Sequence, residues 1–323
     1  MTWGPSSALD SAGPQAARLA HVTWGFLAVC AIVYVTVVGL LLVALIRRRK
    51  SDASSEGGQP FDERRRMTAV AVGGALTTLT LVALMIVSVR GGEGLNPMRG
   101  AHDVVTVRVI ARQWWWEFQY PGSSPDDLVV TANELHIPVG RPVLLELISR
   151  DVIHSFWVPS LHGKRDLIPG HDSTTYIQAD QPGVFRGQCA EFCGAQHAKM
   201  GFLVVAEAPV TWQTWLQRQR LPAAPGEALT STTERHGREL FLHGTCPMCH
   251  AVSGTTAGAT MGPDLTHVGG RFTVGAGSVE NVEQHLTSWV ANAQSIKPGS
   301  RMPPTPLPPD DVRDLVAYLE SLQ

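Results

Sequence analysis

Cys189-Ala190-Glu191-Phe192-Cys193-Gly194-Ala195-Gln196-His197-Ala198-Lys199-Met200 packs two thiols, an imidazole and a thioether into one short segment. Cysteines four apart can both turn toward one centre on a compact loop. Soft sulfur ligands combined with imidazole select copper, zinc or iron–sulfur. Zinc would use the Cys and His without needing Met200, whereas a weak thioether ligand favours copper. A second imidazole is available upstream, from His154 in Asp151-Val152-Ile153-His154-Ser155-Phe156-Trp157. Two Cys, two His and one Met exceed what one tetrahedral ion uses. The surplus points to two coppers sharing bridging thiolates. A zinc site and a Cys189–Cys193 disulfide are the competing readings.

Outward from this loop, residues 100 to 208 read as β structure. Val104 to Ile110, Pro142 to Ile148, Thr174 to Ile177 and Gly201 to Val205 are strand runs. Pro, Gly, Asn and Asp separate them at short intervals, the pattern of a sandwich or barrel. Within Gln113-Trp114-Trp115-Trp116-Glu117-Phe118, strand alternation would put Trp114 and Trp116 on one face and Trp115 on the other. Thr211 to Arg220 reads as a short helix. Leu221 to Thr233, small, polar and Pro-containing, reads as a linker. Beyond it the pattern is helical, with helices expected near 233–241, 279–292 and 310–322. In the last, Val312, Leu315, Val316 and Leu319 share one face.

Toward the N-terminus, Val22 to Ile46 and Met67 to Val89 carry no charge. At about 1.5 Å per residue each can cross a ~30 Å hydrocarbon core. The loop between them holds Arg47, Arg48, Arg49, Lys50, Arg64, Arg65 and Arg66, while the preceding tail has only Arg18. Positive charge marks the cytoplasmic side. Both termini, and everything after about residue 91, are therefore expected on the periplasmic face of a bacterial inner membrane. Twenty-six Lys and Arg against 28 Asp and Glu leave a net charge of −2, so nothing draws the chain to nucleic acid. Of five cysteines, Cys30 lies in the first apolar run and is expected to be an inert buried thiol.

The loop closely resembles that of cytochrome c oxidase subunit II. The pattern C-x-E-x-C-x-x-x-H-x-x-M, preceded by H-S-F-x-V-P-S, is matched here at every position. With the twin spans, the β region and Asp166-Leu167-Ile168-Pro169-Gly170, the resemblance covers about residues 20 to 220. It implies a cupredoxin-like all-β sandwich holding a binuclear CuA centre. Cys189 and Cys193 would bridge both coppers, and His154 and His197 would be terminal ligands. Met200 would complete one copper and the Glu191 backbone carbonyl the other. The Glu191 carboxylate would face the subunit interface, where the family binds magnesium. Trp114 matches the Trp through which the family takes in electrons. The family also places an acid near the inner start of the second helix, where Asp62 and Glu63 lie.

Cys246-Pro247-Met248-Cys249-His250 is C-x-x-C-H, the attachment motif of c-type haem, with His250 as proximal ligand. Met248, Met261 and Met302 compete for the sixth position, although Met248 lies inside the attachment loop. The segment resembles class I cytochromes c. That resemblance implies Met302 as the axial ligand and the Pro263 carbonyl as acceptor for the His250 ring N–H. It gives Gly237, Phe241 and Tyr318 structural roles.

The expected organisation is an extracytoplasmic tail (1–21), a transmembrane hairpin (22–90), a CuA domain (91–220), a linker (221–233) and an all-α cytochrome c domain (234–323). The expected function is electron input to a respiratory haem–copper oxidase, a proton-translocating cytochrome c oxidase. A donor cytochrome or a quinol:cytochrome reductase complex would feed haem c and then CuA. Subunit I would reduce dioxygen, with subunit III as a further partner. A CuA subunit of a nitric-oxide reductase is the alternative.

Overall fold

Strict alternation of buried and half-buried side chains along Val143–Ser149 makes this segment the middle of a sheet with one face on the core. The computed structural model describes residues 7–52, 63–93, 104–223, 226, 229 and 231–323. Asp62 lies outside them. Two five-stranded sheets form a sandwich. In one the order is β3 (Val129–Ala132), β2 (Trp115–Tyr120), β1 (Val105–Arg112), β5 (Val143–Ser149) and β8 (Ser173–Ile177). In the other it is β4 (Glu134–Pro138), β10 (Gly201–Glu207), β9 (Gly183–Cys189), β6 (His154–Trp157) and β7 (Arg165–Leu167). The β1–β5 and β10–β4 pairs are parallel; the others are antiparallel.

The chain changes sheets between β3 and β4 at Asn133, whose φ is 61°. Asn tolerates this left-handed conformation, and its Oδ1 accepts the Trp116 N–H at 2.9 Å. Trp116, Phe118, Phe156 and Phe202 fill the space between the sheets, Trp116 being fully buried. The expected alternation does not extend to Trp114. Gln113 and Trp114 form the turn between β1 and β2, so Trp114 shares no strand face with Trp116.

Helix α3 (Pro209–Gln219) follows the sandwich. The last part is built on α4 (Thr232–His243), the short β11 (Thr273–Val274) and β12 (Val279–Glu280), α5 (Glu283–Ile296) and α6 (Pro309–Ser321). Ser231 caps α4, accepting the Glu234 N–H while the Glu234 carboxylate accepts that of Ser231, a capping box. Helices α4 and α6 meet at Gly237, where a Cβ would lie 1.9 Å from the Asp314 carbonyl oxygen. Only glycine permits that approach. Phe241 and Tyr318 pack beside it, ring centres 5.8 Å apart. Ala223 and Leu229, inside the segment read as a linker, are buried in this second core, so that segment is partly anchored.

A separate unit, residues 17–96, contains α2 (Glu63–Glu93) and most of α1 (Pro14–Asp52). Both helices are long and apolar enough to cross a membrane. Their apolar side chains point outward, as lipid-facing residues must. Cys30, expected to be buried, is exposed on α1, a position that lipid would cover.

Candidate metal and haem sites

The end of β9, the start of β6 and the turn after Cys193 converge on two free thiols. Cys189 and Cys193 Sγ are 3.8 Å apart. His154 Nδ1 lies 3.9 Å from Cys189 Sγ, and His197 Nδ1 lies 3.7 Å from Cys193 Sγ. Met200 Sδ is 3.7 Å from Cys193 Sγ, and the Glu191 carbonyl is 3.2 Å from Cys189 Sγ. Donor atoms sharing an ion at about 2.0–2.3 Å each sit at such separations. His154, Cys189, Cys193 and Met200 are buried.

The contact with Cys193, reinforced by His154, holds Cys189 well below the usual thiol value against the opposing effect of burial. The same contact pushes Cys193 up. Two buried thiols this close cannot both ionise unaided, and a bound cation would remove that obstacle. The donor set therefore fits copper.

The surroundings hold this loop rigidly. Asp151 Oδ1 accepts from His154 Nε2 at 2.8 Å, which fixes the ring with Nδ1 toward the thiols. Asp151 also accepts the Gln113 and Val152 N–H groups. Trp114 Nε1 and Gln113 Nε2 both donate to the Cys193 carbonyl, at 3.0 and 2.8 Å. Trp116 Nε1 donates to the Met200 carbonyl at 3.3 Å. Gly194, at φ 114°, lets the Trp114 indole lie against the loop, because a Cβ there would come within 3.1 Å of it. Sequence reasoning missed Asp151, Gln113 and the donor role of Trp116. The only signal was their nearness to His154 and Trp114. The Glu191 carboxylate pairs with Lys164 at 3.3 Å.

In the C-terminal part, Cys246 and Cys249 are free and half-buried on a single 3-10 turn. His250 Nδ1 lies 2.7 Å from the Pro263 carbonyl, as the resemblance implied. Gly262 makes room for the ring, since a Cβ there would be 2.7 Å from it. Burial holds His250 below the usual imidazole value, keeping it neutral and able to bind iron. This leaves Nε2 free and fits haem. Met248 and Met261 are 67 and 72 % exposed, whereas Met302 is half-buried. Gln294 Nε2 donates to the Ser300 and Met302 carbonyls, shaping the segment that carries Met302.

Two family profiles match the chain: "Cytochrome C oxidase subunit II, periplasmic domain" over residues 123–207 and "Cytochrome c" over residues 235–323. Cytochrome c oxidase subunit 2 of Alkalihalophilus pseudofirmus is 33 % identical over 98 % of this chain and 91 % of that protein. The Bacillus subtilis protein of the same name is 33 % identical over 70 % of this chain and 64 % of its own length. The periplasmic domain of cytochrome oxidase subunit II from Bradyrhizobium japonicum is 27 % identical, with 36 % of this chain and 93 % of that one covered and a TM-score of 0.34. The Alkalihalophilus and Bacillus proteins are oxidase subunits, which disfavours the nitric-oxide-reductase alternative. The family implies CuA, and the second profile implies haem. The chain belongs to the cytochrome c oxidase subunit II family, in the form that carries a cytochrome c domain at its C-terminal end.

Proposed function

We propose that this electron-accepting oxidase subunit holds binuclear copper through Cys189, Cys193, His154, His197, Met200 and the Glu191 carbonyl. It would hold haem c through Cys246, Cys249, His250 and Met302. The observation that carries the reading is the convergence of the four other copper donors on two thiols 3.8 Å apart. When bound, the two groups supply one-electron redox chemistry between a donor and subunit I. The residues around them orient ligands and exclude water. Asp151 fixes the His154 ring, Pro263 fixes His250, and the Trp116 indole N–H fixes Met200 through its carbonyl. A rigid shell of this kind minimises rearrangement between oxidation states. Trp114, bonded to the Cys193 carbonyl, is the residue through which electrons reach the loop.

The finer assignments follow from the same reading. The tail (1–21), hairpin (22–90), CuA domain (91–220), linker (221–233) and cytochrome domain (234–323) are the proposed divisions, with Ala223 and Leu229 of the linker held against the cytochrome core. The positive loop supports an orientation with both termini on the periplasmic side of a bacterial inner membrane. A donor cytochrome or a quinol:cytochrome reductase complex, and subunit III, are the further partners. Magnesium would take the Glu191 carboxylate in place of Lys164. Metal analysis of the purified chain tests the ligand assignment. The expectation is two coppers per haem, with copper lost in Cys193→Ser and haem retained. One copper per haem, or copper retained in that variant, would overturn it.

A further inference from the structure

Lys297 follows α5 in the cytochrome domain, yet its ammonium lies against the β sandwich. It donates to the Trp114 carbonyl at 2.7 Å and to the Gly275 carbonyl at 3.1 Å. It is 3 % exposed, and among the described residues it forms no ion pair. An amine is buried in this way only where its polar partners are held in place. Neighbouring contacts come from the same short segment. Arg301 Nη2 donates to Gln113 Oε1 at 3.1 Å, and Gln113 in turn donates to the Cys193 carbonyl. The Pro298 and Ile296 carbonyls accept from Gln196 and Lys199. The Gly201 N–H donates to the Ala276 carbonyl at 3.0 Å. Further off, Glu134 of β4, 2 % exposed, accepts the Phe272 and Thr273 N–H groups on one carboxylate oxygen, at 2.7 and 3.0 Å. Charged and polar side chains from both domains are thus matched across one face. That face contains Trp114 and the Cys189–Met200 loop, and the segment covering it carries Met302.

We propose that Lys297 is a positioning residue that seats segment 297–302 on Trp114, so that the face carrying the Cys189–Met200 loop is covered from within the chain. The proposal rests on the functional reading above, since Trp114 matters as the point of electron input.

Hydrogen exchange of the full chain in detergent, followed by mass spectrometry, tests this. The reporters are the amides of Gly201, Phe272 and Thr273, whose acceptors lie across the interface. Lys297→Met should accelerate their exchange by about ten- to a hundredfold, the range for losing a hydrogen bond to a charged group. Arg301→Ala, at an exposed side chain, should act in the same direction more weakly. It stands in if the first variant does not fold. Haem absorption and copper EPR, recorded on the same samples, should be unchanged. Reporter amides that exchange alike in the wild type and both variants would overturn the proposal and leave the metal sites standing. Missing copper and haem signals with the exchange pattern intact would instead defeat the functional reading.

Discussion

Glu134 sets a pH dependence that can be worked through. Its side chain is almost fully enclosed where β4 meets the cytochrome domain. Burial pushes its carboxyl from 4.5 up to about 7, against the favourable charge of Arg271 and the N–H groups of Thr273 and Phe272. Both N–H groups reach the same oxygen, Oε1, so a neutral carboxyl keeps both bonds through its carbonyl oxygen. At about 1.4 kcal/mol per tenfold, the change amounts to about 3 kcal/mol. Because the folded value lies above the unfolded one, the contribution is fully present below about pH 4.5. It is lost as pH rises through about 7. Glu134→Gln keeps the acceptor oxygen and cannot ionise. Urea unfolding of the cytochrome domain, read by haem absorption at several pH values from 4.5 to 8, measures the difference between wild type and variant. The wild type should lose about 3 kcal/mol relative to the variant across that range. Lys297, which burial lowers to about 7, titrates in both proteins and cancels from the comparison. Parallel pH profiles would refute the reasoning and leave the folded Glu134 carboxyl at its ordinary value.

Asp151→Asn should weaken copper binding by about 10- to 100-fold, read by competition with a copper chelator, while leaving haem content unchanged. Met302→Leu should lower the haem midpoint potential and alter its absorption. Met261→Leu and Met248→Leu, at exposed side chains, should do neither in the same potentiometric titration. Gly237→Ala should destabilise the cytochrome domain by about 1–3 kcal/mol or more, visible as a lower Tm, because its methyl group would enter the Asp314 carbonyl.

The strands at 105–112, 143–149 and 201–207 were legible as apolar and β-branched runs bounded by turn residues, and the helix at 309–321 from the regular 3–4 spacing of its apolar residues. The copper loop was legible because ligand chemistry needs particular residue types at close spacing. Trp114 escaped the alternation rule because a turn falls inside the aromatic run, a break no neighbouring Gly or Pro announces. The β3–β4 crossover turns on Asn133 alone. Lys297 and Glu134 sit in no motif, and only the meeting of two domains buries them. Ala223 and Leu229 were hidden in a segment whose composition reads as a tether, yet each finds a place in the second core. Asp151 carries no signature of its own, and only the fold brings its carboxylate onto His154 Nε2.

Absorption and EPR spectra of the full chain, matured with haem c and loaded with copper, test the central claim most directly. The account predicts a low-spin c-type haem together with the signal of one unpaired electron shared equally between two coppers. A normal haem spectrum beside a signal from a single isolated copper, or none, would contradict it.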